Sequence, residues 1–266
     1  MNPRRVFAVF LRQFYLMRGN FQRFLTLFIW VVLDIILWGF MTRYLNGMTG
    51  HAYNFVPAIL GAVLLWGFMN RVMMGVAMAF MEDCWARNFL NVFASPVTIG
   101  EYVSGLVLSG IASSAIGLAI MLALATLIFG LSVFAYGLMV FPFLLVLFMC
   151  GIALGVFAVG MMLRLGPAGE WLVWPLPAVF TPFVGVFYPL SVLPHWMRTV
   201  AWILPPSYVF EGIRAIAGGH AVAPAWLVWA AMLAIFYMLL AALFFMRTYR
   251  TVVRTGQLAR YSAEAG

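Results

Sequence analysis

Ionisable side chains are scarce in this sequence, and their positions decide what chemistry it can hold. Asp34 and Arg71 each fall in the middle of a long apolar run, and Glu101 stands at the start of another. A charge at the centre of a bilayer costs ~3 kcal/mol on insertion scales, so each marks a candidate functional position. Asp34 and Arg71 suit two arrangements: they neutralise one another across neighbouring helices, or each faces a water-filled path. A proton relay asks for a longer chain of such groups. Glu101 has a local role, because Thr98-Ile99-Gly100-Glu101 fits a capping box and Ser95-Pro96 is a further helix-start signal. His51, His195 and His220 lie far apart with no clustered carboxylates, which reads as interfacial or solvated histidine and not as a metal site. Cys84 and Cys150 make neither a disulfide framework nor a zinc spacing, and both read as structural. HExxH, GxGxxG and strand-turn-helix GxSxG patterns are all missing. No catalytic residue, metal or cofactor is expected.

The basic residues exclude more. All 15 are arginines, so the chain has no lysine to complete a phosphate-binding P-loop or to form an internal Schiff base. It cannot hydrolyse ATP by the P-loop route. A net charge of +8 would suit nucleic acid on a soluble fold, but here the arginines sit at the ends of hydrophobic runs, where they orient a membrane protein. Nucleic acid is therefore not an expected partner. The chain is 66% hydrophobic and 8% charged, against about 45–50% and roughly 25% for a soluble domain. One spanning helix takes ~20 apolar residues. The 266 residues thus make a single transmembrane domain of six spans with short loops.

The elements that must position the charged groups follow from periodicity. Phe7, Phe10, Phe14, Met17 and Phe21 recur every three or four residues, with Arg4, Arg5, Arg12, Arg18 and Arg23 mostly opposite. Residues 4–22 are therefore expected as an amphipathic helix lying in the membrane interface against lipid, not a signal peptide, serving either as an anchor alone or also to pass force to a partner. Spans are expected over 24–45, 55–81, 101–130, 133–163 and 226–246. Between the last two, Pro175, Pro177, Pro182, Pro189, Pro194, Pro205 and Pro206 break the helical pattern. Irregular backbone cannot face lipid, so this stretch reads as a proline-kinked fifth span to about residue 188, then short helices dipping back into one leaflet over 189–216. No internal repeat is visible, which counts against inverted-repeat carriers.

With the N-terminus inside, Arg4, Arg5, Arg12, Arg18, Arg23, Arg87, Arg164, Arg247, Arg250, Arg254 and Arg260 fall on the cytoplasmic side. Arg43, Arg198 and Arg214 fall outside, and Arg71 within a span. Eleven against three places both termini in the cytoplasm and requires an even number of spans. Residues 82–95 then form an amphipathic helix lying across the inner surface and joining two spans, with Glu82 and Asp83 at its start, a form suited either to docking in a groove of another protein or to a plain interfacial loop helix.

Two stretches resemble the permease subunits of bacterial type-2 ABC exporters. One is Met81-Glu82-Asp83 through Leu90, closed by Ala94-Ser95-Pro96. The other is Phe187-Tyr188-Pro189-Leu190-Ser191-Val192-Leu193-Pro194, continuing through Pro205-Pro206-Ser207-Tyr208 to Glu211-Gly212-Ile213-Arg214. Pro205-Pro206 stands where many relatives read Asn-Pro, which weighs against a polysaccharide cargo. The resemblance implies a half-transporter in the bacterial cytoplasmic membrane. Two permease chains, identical or close paralogues, would pair above two separate ABC ATPase chains. It implies that Glu82, Asp83, Trp85, Arg87 and Asn88 form the coupling contact with the ATPase, and that Tyr188, Pro189, Glu211 and Arg214 form the outer gate. Glu211 and Arg214, at i and i+3, also suit a helical pair that simply holds the segment. The cargo class is lipophilic or amphipathic: drug, lipid or glycan. The alternative is an ion- or proton-coupled carrier or channel that uses Asp34 or Arg71 and needs no ATPase.

Overall fold

Apolar runs of this length can satisfy their backbone without water only as helices. They do so in the computed structural model, which describes residues 1–18, 21–48, 59–86, 95–131 and 137–256. The helices are α1 (Pro3–Arg18), α2 (Phe21–Met48), α3 (Gly61–Trp85), α4 (Ile99–Phe129), α5 (Val140–Leu165), α6 (Glu170–Val173), α7 (Leu176–Val184), α8 (His195–Ala201), α9 (Pro205–Ala217) and α10 (Pro224–Arg254). Short 3-10 turns cover Gly166–Gly169 and Leu190–Val192. There is no strand among the described residues.

Four helices are long and apolar enough to cross a membrane: α3, α4, α5 with its lead-in from Gly137, and α10. The 28 residues of α2 would reach about 42 Å at 1.5 Å per residue, more than the ~30 Å hydrocarbon layer. The expected fifth span is not a continuous helix. Residues 171–188 contain the four-residue α6 and the nine-residue α7, separated by a turn at Trp174-Pro175. Pro175 lacks the amide hydrogen that would continue α6. Gly185, at φ 70°, then ends α7 in a conformation that other residues rarely adopt. Even laid straight, residues 170–184 would cover only about 22 Å.

The spine of the fold is α5, which packs along both α3 and α10, while α3 also packs along α4. At the α3–α4 crossing glycine meets glycine: a Cβ on Gly75 would lie 2.8 Å from the Cα of Gly110. Small residues bring helices together where lipid gives no hydrophobic drive. Two apolar clusters fill the space between helices. One, around Trp66, Phe143, Leu147 and Phe210, lies under α9. The other, around Phe80, Tyr102, Met162 and Phe245, lies under α1. The two ends of the bundle thus carry different accessory helices, α1 at one and α7 to α9 at the other. Along α10, the exposed Val228, Trp229, Met232, Phe236, Leu239 and Leu243 form an outward apolar stripe suited to acyl chains.

Replacing Gly75 by valine overpacks the α3–α4 crossing and should lower stability by about 1–3 kcal/mol. The expected readout is a lower melting temperature and loss of the monodisperse peak in detergent. Gly47→Ala, with nothing within 4 Å of the added Cβ, should leave both unchanged.

Candidate functional site

Three carboxylates that sequence spacing scattered along the chain, Asp83, Glu101 and Glu170, gather at the α1 end of the bundle. In α1 the face that turns inward is narrow. Val9 and Gln13 are buried, while Phe7, Phe14, Tyr15 and Leu16 are exposed. Val9 sits over Gly105 of α4, where any Cβ would come within 2.6 Å of the Val9 side chain and 3.0 Å of the Val6 carbonyl oxygen. Glycine there is what lets α1 lie flat on α4.

Two carboxylates fasten α1 in that seat. Glu101 forms the capping box of α4, accepting from the Thr98 backbone N–H at 3.0 Å while its own N–H donates to the Thr98 hydroxyl. Its other oxygen accepts from the Asn2 backbone N–H at 2.7 Å, and the Arg5 guanidinium lies 3.6 Å away. A negative group at a helix N-terminus is also favoured by the helix dipole. Asp83 has the opposite problem, since it sits in the last turn of α3 among unpaired carbonyls. It is 1% exposed. Arg12 donates to both its oxygens, Nη1 to Oδ2 at 2.9 Å and Nη2 to Oδ1, and the Tyr102 hydroxyl donates to Oδ2 at 2.6 Å. The hydrogen bond to Asp83 raises the Arg12 guanidinium above its ordinary pKa. Beside this clamp the Trp85 indole N–H donates to Oε2 of Glu170 at 2.9 Å, joining the end of α3 to the start of α6.

These positions revise the picture of residues 82–95 as one surface helix. Glu82, Asp83 and Trp85 belong to the last turn of α3, because nothing after Met81 breaks the helix. Asp83 is turned inward and engaged by α1 and α4, so it presents no exposed charge. Glu82 is half-buried, and Trp85, 53% exposed, reaches the surface. Arg87 and Asn88 lie outside the described residues.

Further along α3, the half-buried positions Gly67, Asn70, Arg71, Met74, Gly75, Met78 and Glu82 recur every three or four residues, a single stripe that carries the polar groups of the helix interior. Asp34 is exposed on α2 and near enough to Arg71 for each to feel the other's charge. The Arg71 stem lies over Gly117 of α4, where a Cβ would come within 3.0 Å of it.

At the other end, Glu211 and Arg214 form the i, i+3 pair at 2.9 Å, and the same Glu211 oxygen accepts from the Leu190 backbone N–H at 2.7 Å. The α9 helix is thereby stapled to the turn that follows Pro189. Arg198 adds a second staple, donating to the carbonyls of Leu190, Ser191 and Leu193. Tyr188 donates to the Pro182 carbonyl at 2.7 Å, and Trp38 of α2 stacks on Phe187 at 4.6 Å. Among the described residues no three His, Cys, Asp or Glu side chains come together as a metal site. Tyr102, Glu170 and Arg198 carry contacts that no local sequence pattern announces.

Residues 4–217 match the family model described as ABC-2 type transporter. A comparison with curated proteins gives no match.

Asp83→Asn keeps the volume of the side chain but removes the charge that meets Arg12 and the strong acceptor that meets Tyr102. Stability should fall by about 1–3 kcal/mol, read as a lower melting temperature in detergent. A double-mutant cycle with Arg12→Gln should give a coupling of at least about 0.5 kcal/mol.

Proposed function

The chain belongs to the ABC-2 type transporter family of membrane permeases, and from that premise we propose that it is the transmembrane subunit of an ATP-driven exporter. Its cargo is a lipophilic or amphipathic molecule, and the ATP is hydrolysed on a separate ATPase chain. The observation that carries this reading is the junction at the α1 end. There α1, the end of α3, the start of α4 and the start of α6 are tied together by Asp83, Glu101 and Glu170, while Trp85 stays exposed beside them. A docked ATPase that pushes on Glu82, Trp85 and the adjoining Arg87 and Asn88 would move several helices at once. Asp83 acts in this scheme as the tie behind the contact surface. The absence of lysine agrees with an external source of energy.

In the same reading the α1 end faces the bacterial cytoplasm and α1 lies in the inner membrane interface. The stapled segment at the opposite end, with Tyr188, Pro189, Glu211 and Arg214, gates the outer side. Asp34 argues for a second permease chain. A carboxylate exposed on the surface of a spanning helix is poorly matched to lipid, so the face bearing Asp34 and the α3 stripe is turned toward a second copy and the path between the two.

Co-expression with the ATPase chain tests the proposal. The two should purify as one complex. Glu82→Arg should reduce the recovered ATPase roughly tenfold or more while the permease keeps its elution profile, whereas Asp83→Arg should cost the fold itself. Failure of any ATPase to co-purify, or full recovery with Glu82→Arg, would contradict it.

A further inference from the structure

Around α1 several polar groups are matched by carboxylates of other helices. The Asn2 N–H, the Arg5 guanidinium and the Arg12 guanidinium all meet carboxylates. Gln13 does not share in this. Its side chain is 1% exposed, and neither its amide nitrogen nor its oxygen finds a partner among the described residues. Gln13 lies one turn beyond Val9 on the same inward face, so it enters the seat whenever Val9 packs on Gly105 and leaves it when α1 lifts.

The seat therefore contains opposing contributions. The Val9 contact and the two carboxylate ties favour the docked position. The buried amide opposes it, because lifting α1 returns the amide to water or headgroups, where its hydrogen bonds are restored. An apolar side chain of similar length would fill the same space with no such opposition. Resting on the transport reading above, we propose that Gln13 is a positioning residue that makes the seat of α1 on α4 reversible, so that α1 can leave Gly105 and return within each transport cycle. The ties select the resting position, and Gln13 keeps that position from becoming permanent.

The test measures opening directly. Val9 is buried in the seat, so in a chain carrying Cys84→Ser and Cys150→Ala, a Val9→Cys thiol reacts with a maleimide only when α1 lifts. Where closing is fast, the labelling rate reports the open population. In lipid nanodiscs, Gln13→Leu and Gln13→Met should each slow this labelling roughly tenfold, with melting temperature raised and not lowered. Two variants guard against one that fails to fold. Labelling that is unchanged or faster in the folded variants overturns the proposal. The measurement uses the permease without its ATPase, so its outcome is independent of whether an ATPase docks. Loss of ATPase co-purification would strike the transport reading alone.

Discussion

A carboxylate in the last turn of a helix sits where unpaired carbonyls already concentrate negative charge, and in a protein interior no water relieves it. Asp83 occupies such a place at the end of α3, and it is tolerated there because Arg12 and Tyr102 donate to it from two other helices. Charge-assisted and directional hydrogen bonds of this kind fix geometry as well as energy. Three helices are consequently registered on one side chain, and Glu101, next to Tyr102 on α4, repeats the arrangement by holding the start of α1 against the start of α4. From this junction a packed route runs the length of the bundle. The α3 helix is in close contact with α4 and α5, Trp66 near its start meets Phe210 of α9 edge-on at 6.1 Å, and α9 carries the Glu211 staple. Asp83 and the turn after Pro189 are thus joined through α3, Phe210 and α9.

The bilayer explains where the remaining polar groups lie. Four long apolar helices satisfy their own backbone. Apart from Asp83, the charged and amide side chains within α3 lie on one half-buried stripe, with Asp34 of α2 near Arg71. The proline-broken region follows the same rule at one end of the bundle. Its interrupted backbone is bound by Arg198 and Glu211, which supply hydrogen bonds that a continuous helix would have made internally. Gln13 departs from this matching, as do the buried hydroxyls of Ser114 and Ser207, and of these three Gln13 is the one carried by α1.

Much of this architecture is legible in residue order, because hydropathy and helix caps act locally. The apolar runs locate α3, α4, α5 and α10, and Thr98 with Glu101 announces the start of α4. The spacing of Phe7, Phe10 and Phe14 locates α1, while Phe21, expected in the same helix, opens α2. The fifth span is not legible in the same way: its composition suits lipid, but Pro175 and Gly185 interrupt it and α6 and α7 remain short. The site is harder to read. Glu82 and Asp83 look alike in sequence, two adjacent acids before a polar loop, yet successive helical positions point 100° apart. One is half-buried and the other faces inward. That Asp83 meets Arg12, 71 residues away, follows from how α1 crosses α4, which in turn depends on glycine at 105. No local pattern encodes such a crossing.

The most direct test of the account is ATP-dependent accumulation in inside-out vesicles from cells that make this chain with its ATPase, this chain alone, or neither, with the vesicle contents profiled by mass spectrometry. The account predicts that a lipophilic or amphipathic species accumulates only when both chains and ATP are present. Accumulation driven by this chain alone, without ATP, would contradict it.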